Sequence, residues 1–301
     1  MKKILLADSL DKEAVDKLKS LPQFEVTIKT GMDEAELIKT IPGFNAVVVR
    51  SATKITRNVI AAASGLEMIV RAGIGLDNVD VAAAKEKGIQ VANTPAATTI
   101  SVAEITLGLM LSAVRQLGRA NLSMKEHKWE KKALSGTELY GKTLGIIGGG
   151  RIGLAVAERA LAFGMKVIVY DVIKVETTLN ITQVSRDELL AQSDIITLHI
   201  PKLAQPMLGR DEFRKMKDGV IIVNAARGGV VDESALLEAL NSGKVRAAAL
   251  DVFEKEPPTN FALIDHAHVM ATPHIGAAAE EGQKRAGMEV VRILQEKLAS
   301  A

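Results

Sequence analysis

The strongest constraint on the fold of this chain is a glycine motif that lies between an apolar strand and a helix. Residues 143–147 have the apolar, β-branched composition of a buried strand, and Gly148, Gly150 and Gly153 follow at G-x-G-x-x-G spacing. In dinucleotide-binding folds these glycines permit a tight turn, a close approach of a pyrophosphate to the backbone, and close packing of the helix on the strand. The same spacing also occurs in ordinary glycine-rich turns. The residues around the motif must therefore distinguish a dinucleotide-binding loop from such a turn.

An acidic residue downstream of the motif supplies that context. Residues 166–170 form the next predicted strand, and Asp171 ends it, 18 residues after Gly153. A separation of about 20 residues is typical of the acid that binds the adenosine ribose hydroxyls of NAD. Because a carboxylate at this position repels a 2′-phosphate, the sequence predicts a dinucleotide site that prefers NAD to NADP.

The rest of the chain alternates short β-branched runs with amphipathic helical stretches. The runs are too apolar to be half-exposed, which predicts parallel sheets covered on both faces. The predicted strands are residues 4–7, 25–29, 46–49, 68–70 and 90–92, and then 143–147, 166–170, 194–199, 220–224, 247–251 and 268–271. The six strands of the second group match a doubly wound nucleotide-binding sheet. Capping patterns predict helices that begin near Asp33, Ser101, Ser185 and Asp232.

The two groups of strands predict two α/β units that meet near Asn93, Thr94 and Pro95. Residues 280–298 form one more amphipathic helix, and no strand follows it. The pattern alone leaves open whether this helix caps the second unit or returns to the first.

Composition narrows the classes of function. The 301 residues are 48% hydrophobic and 25% charged, as in ordinary globular proteins. A net charge of +2 and an aromatic content of 3% argue against binding to nucleic acid or to an anionic membrane surface. The chain has no cysteine, which excludes disulfides and a thiol nucleophile and fits a cytoplasmic protein.

Asp8 and Glu104 interrupt the longest apolar runs, so we expect neither a signal peptide nor a membrane span. The histidines lack metal-ligand spacing, so we expect no metal site.

Three polar residues in the second half of the chain follow predicted strands: Arg227, Glu256 and His274. Ligands of open α/β sheets bind outside the carboxyl ends of the strands, so these side chains are expected at the same edge as the glycine loop. Histidine can exchange a proton near neutral pH, a carboxylate can stabilise its imidazolium form, and arginine can hold a carboxylate. The set suits hydride transfer between a nicotinamide and a 2-hydroxy or 2-oxo acid. Each residue also has an ordinary structural explanation, and Glu254 is an alternative to Glu256.

Longer motifs across nearly the whole chain resemble the D-isomer-specific 2-hydroxyacid dehydrogenases. They comprise residues 49–54, 71–80, 93–95, 128–132, 136–139, the glycine loop, 224–233, 249–258 and 273–276. The resemblance implies a Rossmann NAD-binding domain inserted into a flavodoxin-like substrate domain, both of them doubly wound parallel-sheet α/β domains. It places the substrate domain at residues 1–94 and 280–301 and the NAD-binding domain at 95–279. An arm at residues 115–139 is expected to form a homodimer or a higher homo-oligomer.

The resemblance also implies roles for individual residues. It places the catalytic set on Arg227, Glu256 and His274, which selects Glu256 over Glu254. The implied cofactor contacts are Ile74, Gly148, Gly150, Arg151, Ile152, Gly153, Asp171, Ile200, Pro201, Ala225, Ala226, Arg227, Asp251, His274 and Gly276. The implied substrate contacts are Arg50, Arg71, Ala72, Gly73, Ile74 and Lys131.

The reaction that the resemblance implies is the NAD-dependent oxidation of a D-2-hydroxy acid. Several motifs are most similar to the branch that acts on 3-phospho-D-glycerate, so a phosphorylated small-molecule substrate is expected. Reduction of glyoxylate or hydroxypyruvate, action on another D-2-hydroxy acid, and an NAD-sensing corepressor without catalysis remain alternatives. Members of that branch often continue into a serine-binding C-terminal domain. Because this chain ends at Ala301, we expect either a natural short form or a truncated chain.

Overall fold

A computed structural model of the protein describes residues 1–298, which divide into two units. The first unit is Met1–Thr99 with the chain from Ala277 onward, and the second is Ile100–Gly276. The helices and strands of the chain follow in the order β1 (Lys2–Leu6), α1 (Lys12–Ser20), β2 (Phe24–Ile28), α2 (Glu34–Thr40), β3 (Ala46–Val49), α3 (Arg57–Ala62), β4 (Met68–Arg71), α4 (Val81–Glu86), β5 (Gln90–Asn93), α5 (Thr99–Arg115), α6 (Leu117–Lys125), β6 (Thr143–Ile147), α7 (Arg151–Ala162), β7 (Lys166–Tyr170), β8 (Thr182–Gln183), α8 (Arg186–Gln192), β9 (Ile195–Leu198), α9 (Arg210–Lys215), β10 (Val220–Asn224), α10 (Glu233–Asn241), β11 (Val245–Leu250), β12 (Val269–Ala271) and α11 (Glu280–Lys297).

The first unit is a five-stranded parallel sheet in the order β2-β1-β3-β4-β5. This is the flavodoxin-like doubly wound order that the resemblance implies. Ile4 and Leu6 of β1 point to one face and Leu5 to the other, and all three are buried. Both faces are therefore covered, which explains why these strands are uniformly apolar instead of alternating.

The last helix, α11, belongs to the first unit. Val290 and Leu294 are buried in the same core as Ile4 of β1. At Gly287 the helix comes so close to α1 that a Cβ would lie 2.7 Å from the Cβ of Ala14. The sequence pattern left the position of this helix open, and in the structure it packs on the first unit.

The second unit is a seven-stranded parallel sheet in the order β12-β11-β10-β9-β6-β7-β8. From β8 to β11 this is the Rossmann order, and β12 extends it by one strand. The prediction of six strands missed β8, because Thr182 and Gln183 are both exposed and give no apolar run. Helices α5 and α7 cover one face of the sheet, and α8, α9 and α10 cover the other.

Three of the four predicted helix starts are confirmed. Asp33 and Asp232 cap α2 and α10 through their side chains, and Ser185 forms a full capping box with Glu188. The predicted start at Ser101 is wrong, because α5 continues directly from a turn at residues 95–98 and begins at Thr99. Ser101 consequently lies inside the first turn, where its hydroxyl is buried without a partner among the described residues.

Helices α5 and α6 are separated by Gln116 alone, which has a left-handed φ of 54° and bends the chain by 67°. Within residues 1–298 no single helix is long and apolar enough to cross a membrane. This bent pair reaches that threshold only when its two helices are taken together.

Candidate active site

The predicted cofactor and catalytic residues of the second unit gather at one edge of its sheet. Gly148 follows β6, Asp171 follows β7, Arg227 follows β10, Glu256 follows β11 and His274 follows β12. All of these strands are parallel, so the residues lie at the carboxyl edge where ligands of open α/β sheets bind. Of the remaining predicted contacts, Arg151 and Ile152 begin α7, Ile200 and Pro201 follow β9, Ala225 and Ala226 follow β10, and Asp251 and Gly276 follow β11 and β12.

The geometry of the glycine loop fits a dinucleotide. Gly148 has a φ of 103°, and a Cβ there would lie 2.5 Å from the carbonyl oxygen of His199. A Cβ at Gly153 would lie 2.0 Å from the carbonyl oxygen of Gly148, so α7 can pack on β6 only with glycine at that position. Gly150 starts α7 without a side-chain cap and has open space around it. The N–H groups of the first turn of α7 are therefore available to a phosphate.

Asp171 is held in place by the backbone. Its Oδ2 accepts a hydrogen bond from the N–H of Gly149 at 2.7 Å, and its Oδ1 accepts from the N–H of Ile173 at 3.2 Å. The carboxylate is thereby fixed beside the glycine loop with acceptor capacity to spare for two ribose hydroxyls. This is the position that the spacing of Asp171 and Gly153 predicts.

Replacement of Asp171 by alanine is expected to weaken NADH binding by about 10–100-fold, because charge-assisted hydrogen bonds contribute about 1.5–3 kcal/mol each. NADPH binding is expected to change less, since repulsion of the 2′-phosphate is removed at the same time. Fluorescence titration with both nucleotides measures the two dissociation constants. Asp211→Ala, which removes an exposed carboxylate from the same unit, is the control. An unchanged preference for NADH would mean that another group selects the ribose.

The side chains of Glu256 and His274 are hydrogen-bonded to each other at this edge. His274 Nδ1 lies 2.6 Å from Glu256 Oε2, and Glu256 Oε1 accepts from the N–H of Phe253 at 3.0 Å. Because an ionised carboxylate can only accept, Nδ1 carries the hydrogen and Nε2 is left to exchange a proton with a ligand. The structure also distinguishes the two acids that the residue pattern left open, because Glu254 bonds to the backbone of Glu233 and not to His274.

The loop that carries His274 is organised by Asp251, which is 1% exposed. Oδ1 accepts from the hydroxyl of Thr272 at 2.6 Å and from the N–H of Ile275 at 2.8 Å, and Oδ2 accepts from the N–H of Gly276 at 2.7 Å. His274 itself has a φ of 53°, a left-handed conformation that is uncommon outside glycine. Asp251 therefore holds the loop in a conformation that it would not favour alone, and its predicted contact with the cofactor stays a prediction.

The turn that carries Arg227 depends on Asn224, the last residue of β10. Asn224 is buried, its Oδ1 accepts from the N–H of Ala226 at 3.1 Å, and its Nδ2 donates to the carbonyl of Arg227 at 3.0 Å. A Cβ at Gly228 would lie only 1.7 Å from the carbonyl oxygen of Phe253. The turn after β10 thus packs directly against the segment that leads to Glu256.

His199, at the end of β9, is a poor candidate for proton transfer. Burial lowers its pKa to about 3, so the ring is neutral at physiological pH. Its Nε2 lies 3.1 Å from the hydroxyl of Thr197, and its Nδ1 is buried without a partner among residues 1–298. His274, in contrast, is exposed and is hydrogen-bonded to Glu256.

In the first unit the predicted substrate residues follow β3 and β4. The loop that starts at Arg50 is held by Asp8, whose Oδ2 accepts from the N–H groups of Arg50 at 2.6 Å and Thr53 at 3.2 Å. Asn78 donates to the carbonyls of Arg50 and Thr53. Arg71 donates through Nε to the carbonyl of Arg50 at 3.2 Å. Asp8 and Asn78 were not predicted as supports of this loop.

Residues Ala72, Gly73 and Ile74 are expected to bind a carboxylate through their backbone. The N–H of Ala72 already donates to Val49, and that of Gly73 donates to Arg71. Of the three, Ile74 is the one whose N–H has no acceptor among the described residues. Lys131 lies elsewhere, in an exposed turn between α6 and β6.

Comparisons with known proteins define the class. Residues 107–276 match the family model "D-isomer specific 2-hydroxyacid dehydrogenase, NAD binding domain". The chain is 55% identical to a hydroxypyruvate reductase of Thermotoga maritima, over 94% of both chains. It is 49% identical to a D-3-phosphoglycerate dehydrogenase of Archaeoglobus fulgidus, over 95% of this chain and 55% of that enzyme's length. The crystal structure of a D-lactate dehydrogenase of Aquifex aeolicus with NAD and lactic acid superposes with a TM-score of 0.87, at 31% identity, over 99% and 96% of the two chains.

This chain therefore belongs to the D-isomer-specific 2-hydroxyacid dehydrogenase family. It is an oxidoreductase, and its cofactor is NAD, for which the glycine loop and Asp171 have the fitting geometry.

Proposed function

We propose that this protein oxidises 3-phospho-D-glycerate to 3-phosphohydroxypyruvate with NAD, the first step of serine biosynthesis. The observation that carries the oxidation chemistry is the 2.6 Å contact of His274 with Glu256 at the carboxyl edge of the NAD-binding sheet. The intact set of Arg227, Glu256 and His274 supports an enzyme over a corepressor that only binds NAD.

The mechanism follows from the roles of these three side chains. Nε2 of neutral His274 accepts the proton of the substrate hydroxyl, and the carboxylate of Glu256 stabilises the imidazolium that forms. Arg227 binds the substrate carboxylate and the oxygen that becomes the carbonyl. The glycine loop and Asp171 would hold NAD, which would supply the acceptor for the hydride from C2 of the substrate. In the reverse direction His274 returns the proton.

The phosphate of the substrate is proposed to bind to cationic side chains, of which Arg50 is the first choice. Its backbone is fixed by Asp8 and Asn78, while its guanidinium makes, among residues 1–298, one hydrogen bond, from Nη1 to the carbonyl of Ser9 at 3.4 Å. A fixed backbone with a lightly held guanidinium suits the capture of a dianion. We propose Arg71 and Lys131 as further cations for the same group, with Lys131 supplied by a second copy of the chain.

A second candidate function is the reduction of hydroxypyruvate. It is favoured by the 55% identical Thermotoga relative, which matches this chain over 94% of both lengths. Hydroxypyruvate differs from 3-phosphohydroxypyruvate, the product of the first proposed reaction, by the phosphate alone, so the same catalytic set would serve either reaction. Recognition of the phosphate therefore decides between the two functions.

Arg50→Ala is expected to raise KM for 3-phospho-D-glycerate about 10–150-fold, the equivalent of about 1.5–3 kcal/mol for a charge-assisted contact. KM for D-glycerate is expected to change less than about twofold, because Arg227, the proposed anchor of its carboxylate, is unchanged. Steady-state kinetics with both acids measures the two effects. Arg57→Ala is the matched control, since it removes a guanidinium that Glu86 already holds. Equal losses on both acids would overturn the phosphate assignment and favour hydroxypyruvate.

We also propose that the arm at residues 115–139 joins two copies of the chain. The arm exposes four large apolar side chains: Leu117, Leu122, Met124 and Trp129. A cluster of this kind is typical of a surface that another protein covers. Sedimentation velocity is expected to show a dimer for the wild type and at least about a tenfold weaker association for Trp129→Glu, since a buried charge costs more than 1.4 kcal/mol. A monomeric wild type would contradict this proposal.

A further inference from the structure

Two glutamates next to the Glu256–His274 pair bind each other's backbone. Glu233 is the first residue of α10, and Glu254 lies in the segment after β11. The N–H of Glu254 donates to Glu233 Oε1 at 2.6 Å, and the N–H of Glu233 donates to Glu254 Oε1 at 3.2 Å. These reciprocal hydrogen bonds join residues that are 21 positions apart in the sequence.

The arrangement places like charges together, which has a cost. Burial makes the largest contribution to raising the pKa of Glu233. The negative charges of Glu254, Asp232 and Glu256 raise this pKa further. The hydrogen bond from the Glu254 backbone opposes that shift. Placing a half-buried carboxylate near three others costs free energy. The hydrogen bond that the Glu233 carboxylate accepts from the Glu254 N–H offsets part of this cost.

The pair fixes the segment that leads to Glu256. Glu254 precedes Glu256 by two residues. Within the same segment, the N–H of Phe253 donates to Glu256 Oε1 at 3.0 Å. On its other side the segment packs against Gly228, where no side chain fits. Lys255 and Glu256 are otherwise exposed, so Glu233 supplies the contact from α10 that keeps this segment in one conformation.

We infer that Glu233 is a positioning residue, which holds residues 253–256 so that the Glu256 carboxylate meets Nδ1 of His274. The inference rests on the proposed function, because it acts through the proton-transfer pair. Without the Glu233 carboxylate the Glu254 N–H loses its acceptor, and the segment is free to move away from His274. A displacement of about 1 Å in such a pair is enough to slow catalysis markedly.

The test compares Glu233→Ala and Glu233→Gln in the wild-type enzyme and in Glu256→Gln. Glutamine keeps an oxygen that accepts from the Glu254 N–H, so it is the matched control. We expect Glu233→Ala to lower kcat about tenfold, with KM for the hydroxy acid and the dissociation constant of NADH within about twofold of the wild type. Glu233→Gln should restore kcat to within about threefold. In Glu256→Gln, the further change to Glu233→Ala should lower kcat by less than about twofold, because the group it positions is gone.

Three results would overturn the inference. A wild-type kcat for Glu233→Ala shows that the contact is not needed. An equal loss of kcat in both backgrounds shows general damage that does not act through Glu256. A Glu256→Gln enzyme as fast as the wild type removes the group that Glu233 is inferred to position, whereas a failure of the proposed function shows separately, as a wild-type enzyme that does not oxidise 3-phospho-D-glycerate. If Glu233→Ala does not fold, Glu233→Met, which keeps the length of the side chain but has no oxygen to accept from the Glu254 N–H, is compared in the same way.

Discussion

His274→Gln is expected to lower kcat by about 10²–10⁴-fold while NADH binding stays within about threefold of the wild type. Glutamine fills a similar volume and can still meet Glu256 with its amide, but it cannot take a proton from the substrate hydroxyl. The glycine loop and Asp171, which are the proposed anchors of the nucleotide, are untouched. Steady-state kinetics gives kcat, and quenching of intrinsic fluorescence by NADH gives the dissociation constant.

His268→Gln is the control for this experiment, because it removes an exposed histidine from the same unit. It is expected to leave kcat within about twofold of the wild type, as surface substitutions usually do. A His274→Gln enzyme with a wild-type kcat would show that another group carries the proton.

Asp251→Ala is expected to lower kcat by about 10²-fold, although the side chain is buried beneath the loop and is not assigned to proton transfer. The substitution leaves the Thr272 hydroxyl and the N–H groups of Ile275 and Gly276 without their acceptor. His274 then loses the support for its left-handed backbone, and a misplacement of about 1 Å is enough for a loss of this size. Hydrogen exchange at residues 272–276 is expected to rise in the same variant.

The variant Asp251→Asn tests the roles of the two carboxylate oxygens of Asp251 separately. The amide oxygen can replace Oδ1, but the amide nitrogen would then face the N–H of Gly276, so an intermediate loss is expected. Asp265→Ala removes an exposed carboxylate from the same unit and serves as the control. If Asp251→Ala keeps wild-type kcat and wild-type exchange, the loop is held by other contacts.

The fold could largely be predicted because its strands are buried on both faces and its glycine loop has one structural use. Each predicted strand exists in the structure, with ends that differ by a few residues. Strand β8 could not be predicted, since its two residues are exposed and join the sheet only by pairing with β7. The start of α5 was misplaced at Ser101 because a turn at residues 95–98 leads directly into the helix.

The site was only partly accessible from the sequence. Arg227, Glu256 and His274 could be found because each follows a strand and has a side chain suited to the chemistry. The residues that support them were missed: Asn224, Glu233 and Glu254 act by hydrogen bonds whose partners are fixed by the packing of the folded chain. Asp251 was predicted as a cofactor contact, and its three hydrogen bonds to the His274 loop were not foreseen. The choice between Glu254 and Glu256 likewise needs either the resemblance or the contact of Glu256 with His274 in the folded chain.

The central claim is that this enzyme of the 2-hydroxyacid dehydrogenase family acts on the phosphorylated acid. The most direct measurement is kcat/KM with NADH for three 2-oxo acids: 3-phosphohydroxypyruvate, hydroxypyruvate and glyoxylate. The proposed function predicts that 3-phosphohydroxypyruvate has the highest value, at least about tenfold above hydroxypyruvate, which corresponds to one charge-assisted contact with the phosphate. A higher value for hydroxypyruvate or glyoxylate would contradict it and would assign the enzyme to the reduction of the unphosphorylated acid.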